Sequence, residues 1–188
     1  MPHIHLDNDY PGIRGLMAFR PDTAAPLGVL ANTLLYADNS LTRGERELIA
    51  THVSYLNDCI YCHTSHGATA CQYLDGDKAL VDQVRKDYRN APISDKLKAL
   101  IAIAALVQKS GKAVTVEAID AARAEGATDR EIHDTVLIAA AFCLFNRYVD
   151  GLGATTPSDL ASYDARGKQI AEKGYGNHIF SSPQPVSV

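Results

Sequence analysis

The chain lacks the features of secreted, membrane and nucleic-acid-binding proteins. Its longest apolar run, VLIAAAFCLF at Val136–Phe145, has ten residues, whereas a membrane-spanning helix needs about 20. The first residues, MPHIHLDNDYPG, have no basic segment followed by an apolar one, so they predict no secretory signal. Lys and Arg are not clustered and the net charge is −4, which argues against a nucleic-acid partner and a membrane surface. We therefore expect a cytoplasmic protein.

Cysteine is also scarce, with four residues among 188. Structural disulfides are rare in the cytosol, so a closely spaced cysteine pair there is more often catalytic or metal-binding. Hydrophobic residues make up 46% and charged residues 21%, as in soluble globular proteins. The length predicts a single domain at 1–176, with an irregular arm at 1–26 and a mobile tail at 177–188.

The hydrophobic pattern predicts an all-α protein. No segment alternates with the period of two that strands show, and the helical segments predict six to eight helices in a compact bundle. Two capping boxes, Thr42–Glu45 and Thr128–Glu131, mark helix starts. The helix after the first box is expected to run to about Leu56.

The stretch NDCIYCHTSHG, residues 57–67, concentrates the candidate chemistry. Either Asn57 or Asp58 can cap a new helix, and Asp58 as the N-cap is expected to leave Cys59 in the first turn, where unpaired N–H groups and the helix dipole favour a thiolate. Cys59, Cys62 and His66 are spaced i, i+3, i+7 and therefore share one helix face. A CxxC pair at this position can close into a disulfide and reopen, and His66 can accept or relay the Cys62 proton.

Glu47, on the preceding helix, is the candidate partner of His66. If the chain folds back at Asn57, Glu47 lies ten residues before the bend and His66 nine after it. At 1.5 Å per residue these positions are about 15 Å and 13.5 Å from the bend, so the two side chains lie level. The spacing therefore favours a Glu–His–Cys proton relay.

The four residues Glu47, Cys59, Cys62 and His66, in the spacing E-x11-C-x2-C-x3-H, resemble the signature of the alkylhydroperoxidase D-like proteins in the carboxymuconolactone decarboxylase superfamily. The segments GIRGLMAFRP, LTRGERELIATHVSYLNDCIYCHTSHG and FNRYVDGLG resemble its peroxidase-related branch, over about residues 10–176. The resemblance implies an all-α alkylhydroperoxidase D-like fold that assembles as a homo-oligomer, commonly a trimer or hexamer. It also implies a thiol peroxidase that uses no metal, flavin or other cofactor.

The same resemblance implies a role for each residue. Cys62 attacks the hydroperoxide substrate and becomes a sulfenic acid, and Cys59 condenses with it to a disulfide. Glu47 and His66 move the proton, and an external dithiol restores the pair. Cys59, next to the exposed bend, is expected to be the outer thiol, and Cys62 the deeper one. The family often has a histidine where Tyr61 stands, so either a relay residue is missing or Tyr61 only shapes the pocket.

Two other functions stay open. The first is a non-redox, decarboxylase-like lyase of the same superfamily, although its decarboxylases generally lack the CxxC. The second is a structural zinc or interaction protein, in which His52 supplies a fourth ligand beside Cys59, Cys62 and His66. One helix does not wrap a tetrahedral ion, and no second ligand pair is evident, so a metal site is disfavoured.

The remaining candidates carry weaker signals. Asn146 and Arg147, near the end of a buried helix, are expected either to line the pocket or to cap an interface. His63 lies about 100° from Cys62 around a helix of 3.6 residues per turn, which favours a surface or interface position. Cys71 and Cys143 are interpreted as packed thiols, because Cys143 lies inside the apolar run.

Overall fold

The computed structural model describes residues 1–176, so the predicted mobile tail at 177–188 lies outside the described residues. Within 1–176 the chain forms nine α-helices, two short 3-10 helices and no strand. The prediction of an all-α protein is confirmed, with one helix more than the expected six to eight. The helices are α1 (Ile13–Phe19), α2 (Pro21–Leu35), α3 (Arg43–Leu56), α4 (Ile60–Tyr73), α5 (Lys78–Asp87), α6 (Asp95–Lys109), α7 (Val116–Ala124), α8 (Asp129–Gly151) and α9 (Leu160–Lys173).

Helix α3 is the centre of the fold. It begins at the predicted capping box, in which the Glu45 N–H donates to Thr42 Oγ1 and the Thr42 N–H donates to the Glu45 carboxylate. Every residue from Arg46 to Ser54 is buried. A helix that is covered all round lies inside a bundle and not at its surface. Polar side chains on α3 are therefore held away from water.

The bend between α3 and α4 differs from the prediction by one residue. Asp58 has φ 58°, in the left-handed region that Asp tolerates better than most residues. Helix α4 consequently begins at Ile60, and Cys59 is its N-cap. The prediction that Asp58 is the N-cap and that Cys59 lies in the first turn is wrong.

The N-terminal arm is shorter than predicted. Residues 1–12 are irregular and lie along the loop after α8, where the His3 N–H donates to the Leu152 carbonyl at 2.9 Å. The prediction of irregular structure as far as residue 26 is wrong from Ile13 onward, because α1 and α2 occupy that segment. Pro21 stands at the first position of α2, where a helix makes no use of an N–H.

Helix α9, which the hydrophobic pattern does not predict, packs against α4. A Cβ on Gly167 would lie 2.8 Å from the carbonyl carbon of Ala68, so only glycine permits this approach of the two backbones. The close contact brings one face of α9 over the segment that carries the cysteines. The structure thus closes over α4 with two elements, α1 and α9, that lie far apart in the chain.

Helix α8, with 23 residues, is long and apolar enough by length and composition to cross a membrane. Half of its most apolar window is buried inside the bundle, where Phe142 and Phe145 belong to the core. Core helices of soluble proteins commonly pass this test of length and composition. The helix supplies one wall of the cavity described below.

Candidate active site

Cys62 and His66 line one cavity of about 70 Å³ between α1, α2, α4, α8 and α9. Its walls are mainly apolar, and include Ile13, Met17, Leu35, Phe142, Phe145 and Ile170. Few polar side chains reach the cavity. Besides Cys62 and His66, they are those of Arg14, Ser65, Arg166 and Tyr175, and Tyr61 lies at the wall. A small apolar space with a few converging polar groups is the usual form of a binding site.

Glu47, His66 and Tyr175 form a hydrogen-bonded cluster at the inner end of this cavity. The distance between His66 Nδ1 and Glu47 Oε2 is 2.8 Å, so the structure joins the two residues that the sequence spacing placed level. The Tyr175 hydroxyl donates to Glu47 Oε1 at 2.6 Å and lies 3.1 Å from His66 Nδ1. Glu47 is fully buried, at 0% exposure, so it is no solvated surface residue.

The cluster fixes the role of each nitrogen of the His66 ring. Because a carboxylate only accepts hydrogen bonds, Nδ1 carries the proton that it donates to Glu47. Nε2 then keeps the lone pair and is the ring atom able to accept a proton. Burial, followed by the charge of Glu47, raises the pKa of Tyr175 well above its usual value, so the phenol stays neutral and donates.

Cys59 stands apart from the cavity that Cys62 lines. Its thiol hydrogen-bonds with Cys62, and this contact, followed by burial, raises the pKa of Cys59. The prediction that the helix N-terminus favours a Cys59 thiolate is therefore wrong. Cys59 is 0% exposed and Cys62 is 4% exposed, so the prediction that Cys59 is the outer thiol is also wrong. Both thiols are free.

The surroundings of Cys59 on the side away from the cavity are polar. The Asp150 carboxylate accepts a hydrogen bond from the Cys59 thiol. The bend above it is held by the Asn57 side-chain amide, which donates to Asn146 Oδ1 at 2.8 Å, and by the Asn146 amide, which donates to Ser54 Oγ at 3.1 Å. This closed network fixes the position of the Cys59 backbone without filling the cavity.

Asn146 and Arg147 do not line the cavity that Cys62 lines. Together with Asn57, Asp150 and Gly151 they border a separate, open depression of about 490 Å³ on the Cys59 side. Arg147 is exposed, and it donates to the Cys143 carbonyl at 2.9 Å. The structure therefore assigns Asn146 to the bend and leaves Arg147 at the surface.

Tyr61 lies at the cavity wall, in agreement with the interpretation that it shapes the pocket. A Cβ on Gly12, which has φ 57°, would fall within about 2.1–2.3 Å of the Tyr61 ring, so the ring needs a glycine beneath it. Burial raises the pKa of Tyr61, which keeps the phenol neutral. Its ring also packs against Tyr163, with 5.8 Å between the ring centroids.

The two other candidate histidines lie away from the cavity. His52 is buried, and its Nδ1 lies 3.0 Å from the Arg85 carbonyl oxygen. His63 Nδ1 lies 3.0 Å from Arg85 Nη1, and burial lowers the pKa of both histidines. Within residues 1–176 no group of three His, Cys, Asp or Glu side chains is arranged to hold a metal ion.

Four residues of the site were not identified from the sequence, namely Tyr175, Arg14, Arg166 and Asp150. Tyr175 follows Glu47 by 128 residues, so no local spacing connects them. Asp150 has a weak signal, because it belongs to the FNRYVDGLG segment that resembles the peroxidase-related branch. Arg14 and Arg166 reach the cavity only because α1 and α9 close over α4.

Comparison of the sequence with family models gives one match. The carboxymuconolactone decarboxylase family matches residues 21–73 and 77–157. The matched segments contain Glu47, Cys59, Cys62 and His66. A search of curated proteins found no match.

Solved structures with the same arrangement of helices come from three bacteria. An uncharacterized peroxidase-related protein from Ralstonia eutropha JMP134, an alkylhydroperoxidase AhpD core, has a TM-score of 0.75 and 30% identity over 84% of this chain and 81% of that one. An uncharacterized peroxidase-related protein from Silicibacter sp. TM1040 has a TM-score of 0.74 and 26% identity over 84% and 80%. The protein of unknown function ATU0492 from Agrobacterium tumefaciens, with a TM-score of 0.66 and 17% identity over 77% and 97%, shares the fold. Family and fold comparisons thus agree with the resemblance carried by the CxxC segment.

Proposed function

The chain belongs to the carboxymuconolactone decarboxylase family, and from that premise we propose that it is a dithiol peroxidase that reduces organic hydroperoxides. One observation carries the proposal: Cys62 and His66 line the same cavity, while His66 is held by a 2.8 Å hydrogen bond to the buried Glu47. A thiol beside an oriented base is the arrangement of an activated nucleophile. The peroxidase-related proteins of similar structure support the same chemistry.

The first step oxidises Cys62. His66 Nε2 accepts the Cys62 proton, and the thiolate attacks the terminal oxygen of the hydroperoxide, so that the S–O bond forms as the O–O bond breaks. The leaving alkoxide takes the proton back from His66 and departs as an alcohol. Glu47 stabilises the imidazolium that exists between these two proton transfers. The product on the protein is a Cys62 sulfenic acid.

The second step forms a disulfide within the CxxC pair. Cys59, already in contact with Cys62, loses its proton and attacks the Cys62 sulfur, so that an S–S bond forms and the S–O bond breaks with release of water. An external dithiol then reduces the disulfide by two exchange reactions and is itself oxidised. No metal or organic cofactor enters these steps.

Apolar side chains left uncovered on α8 and α2 support assembly of the chain. Leu137 and Leu144, within the apolar segment of α8, are 37% and 48% exposed, and Val29 on α2 is 67% exposed. We propose a homo-oligomer, a trimer or a hexamer, that works in the cytoplasm. Light scattering at micromolar concentration should give a particle of several chains, and a particle of monomer mass would contradict assembly.

The test of the peroxidase is thiol titration under argon, followed by mass mapping after one equivalent of a hydroperoxide. We expect two thiols to disappear and a peptide pair joined through Cys59 and Cys62. A double variant, Cys71→Ser with Cys143→Ser, is the matched control, because it removes the other two thiols and should react like the wild type. If all thiols persist after hydroperoxide treatment, the peroxidase proposal is wrong, and the decarboxylase-like lyase becomes the preferred function. Stoichiometric zinc in the purified protein would instead favour a structural metal site.

A further inference from the structure

Two arginines, Arg14 on α1 and Arg166 on α9, line the cavity that Cys62 and His66 share. Nothing in the dithiol chemistry described above uses them. Both reach the cavity through the helices that close over α4. The pair therefore needs a separate explanation.

Neither arginine has an acidic partner in the part of the chain that the structure describes. Arg14 stacks on the Tyr10 ring at 4.8 Å, and its Nε is buried without a hydrogen-bond partner. Arg166 donates to the Gln169 side-chain oxygen, which carries no charge. No carboxylate of residues 1–176 lies within 4.0 Å of either guanidinium.

Placing two cations at one small apolar cavity is costly. Burial, and after it the charge of Arg14, lowers the pKa of Arg166. Both arginines are half-buried, and charges withdrawn from water in folded proteins are normally paired, because an unpaired one loses hydration without compensation. Two guanidinium groups that repel each other and have no acidic partner among residues 1–176 fit a site whose counter-ion arrives with the ligand.

The two arginines also lie outside the segments that the family match covers, which are residues 21–73 and 77–157. Glu47, Cys62 and His66 lie inside those segments. The chemistry of the dithiol and the charge of the cavity therefore come from different parts of the chain.

Resting on the proposed peroxidase, we propose that the substrate is a short organic hydroperoxide that carries a carboxylate, which Arg14 and Arg166 bind while its apolar body fills the cavity. Guanidinium groups match the planar carboxylate and bind it through paired, charge-assisted hydrogen bonds. The buried Arg14 Nε gains the partner that it lacks in the free protein. A cavity of about 70 Å³ accepts a chain of only a few carbon atoms beside the peroxide group.

The test compares two hydroperoxides that differ at one position, where a carboxylate in one replaces a methyl group in the other. These are 3-hydroperoxy-3-methylbutanoate and its neutral counterpart tert-pentyl hydroperoxide, used on the reduced full-length protein under stopped flow. The carboxylate should raise the second-order rate of Cys62 oxidation by roughly 10- to 100-fold, the range expected for one or two charge-assisted hydrogen bonds. Arg14→Gln and Arg166→Gln should each remove most of this preference, because they slow the carboxylate substrate far more than the neutral one.

Two further variants separate substrate selection from other roles of the arginines. Arg166→Lys should restore part of the preference, because it keeps the charge and loses the paired geometry. Arg130→Gln, at an exposed position on α8, is the matched control and should change neither rate. If both substrates slow equally in the arginine variants, the arginines serve the thiolate or the fold, and the proposal is wrong.

A binding experiment distinguishes failure of this proposal from failure of the peroxidase. Calorimetry with 3-methylbutanoate, which has no O–O bond, should show binding to the wild type and loss of binding in the Arg14→Gln and Arg166→Gln variants. If the carboxylate binds but no hydroperoxide oxidises Cys62, the peroxidase is wrong and the anion site stands. If hydroperoxides react but the carboxylate neither binds nor raises the rate, the anion site is wrong and the peroxidase stands.

Discussion

Cys59 and Cys62 are three residues apart, yet they have opposite surroundings. Cys62 lines a cavity with a base, His66, and with two cations that have no acidic partner in residues 1–176. Cys59 is fully buried beside the Asp150 carboxylate, and its pKa is raised by contact with Cys62 and by burial. The helix dipole acts in the other direction, because it favours an anion at the N-terminus. Hydrogen bonding and burial outweigh it here.

This comparison shows that the CxxC spacing makes a pair but does not assign its roles. The base comes from α4 and the cations from α1 and α9, whereas the carboxylate comes from the end of α8. In the proposed peroxidase, the basic side with His66 favours attack on a peroxide, and the negative side with Asp150 holds the Cys59 thiol protonated until Cys62 is oxidised. The division of labour between the thiols is thus a property of the tertiary structure.

The largest effect on peroxide reactivity should come from replacing each cysteine singly by serine, which tests the comparison directly. Cys59→Ser should leave Cys62 able to react, so a dimedone-type trap should label a sulfenic acid on Cys62 after one equivalent of cumene hydroperoxide. Cys62→Ser should remain unlabelled, because Cys59 is closed off from the cavity. Peroxide turnover with a dithiol reductant should vanish in both variants. Labelling of Cys59 in the Cys62→Ser protein would reverse the assignment.

Glu47→Gln should reduce the rate of Cys62 oxidation by roughly 10²-fold, the low end for general acid–base catalysis. Glutamine keeps the shape and can still accept from Tyr175, but it no longer stabilises an imidazolium on His66. Glu131→Gln is the matched control, because Glu131 is also buried but sits in a helix cap with Lys96. That variant should lose about 1 kcal/mol of stability and keep its rate. Equal rates in the two proteins would exclude the relay.

Tyr175→Phe should have a smaller effect, about tenfold on the same step, because it removes one hydrogen bond to a charged group and leaves Glu47 in contact with His66. A change in melting temperature with an unaltered rate would make Tyr175 a packing residue only.

Asp150→Asn should have the smallest effect and act on the other thiol. The negative charge of Asp150 contributes to the raised pKa of Cys59, so its removal should lower that pKa. Closure of the disulfide, which needs the Cys59 thiolate and therefore speeds up as pH rises, should become a few-fold faster at pH 7. Cys62 oxidation should not change. Slower closure would mean that Asp150 takes the Cys59 proton.

Those predictions depend on contacts of which the sequence reveals only part. The Glu47–His66 contact was predictable, because the two residues lie at similar distances along their helices from the bend at Asn57. The helical class and both capping boxes were predictable for the same reason, since they are local patterns. The one-residue error at Cys59 arises from the positive φ of Asp58, which spacing does not reveal.

The two helices that close over α4, α1 and α9, were not predictable from local patterns. Helix α1 is short and stands between Pro11 and Pro21, which are typical of irregular chain. Helix α9 has only three buried residues, Tyr163, Gly167 and Ile170, so its hydrophobic pattern is weak. Tyr175 is recognisable only from its tertiary contacts. The substrate, the homo-oligomeric state and the cellular compartment stay predictions.

The dependence of the cavity on α9 has a consequence for how the protein is made. About 100 residues separate Cys62 from α9, and at a synthesis rate of 5–20 residues per second they take about 5–20 s to appear. During that time the nascent chain holds a reactive thiol without the helix that packs against it through Gly167. We expect this interval to be when the protein is most easily oxidised beyond the sulfenic acid. In the proposed peroxidase, the hydroperoxide substrate would then also damage newly synthesised chains.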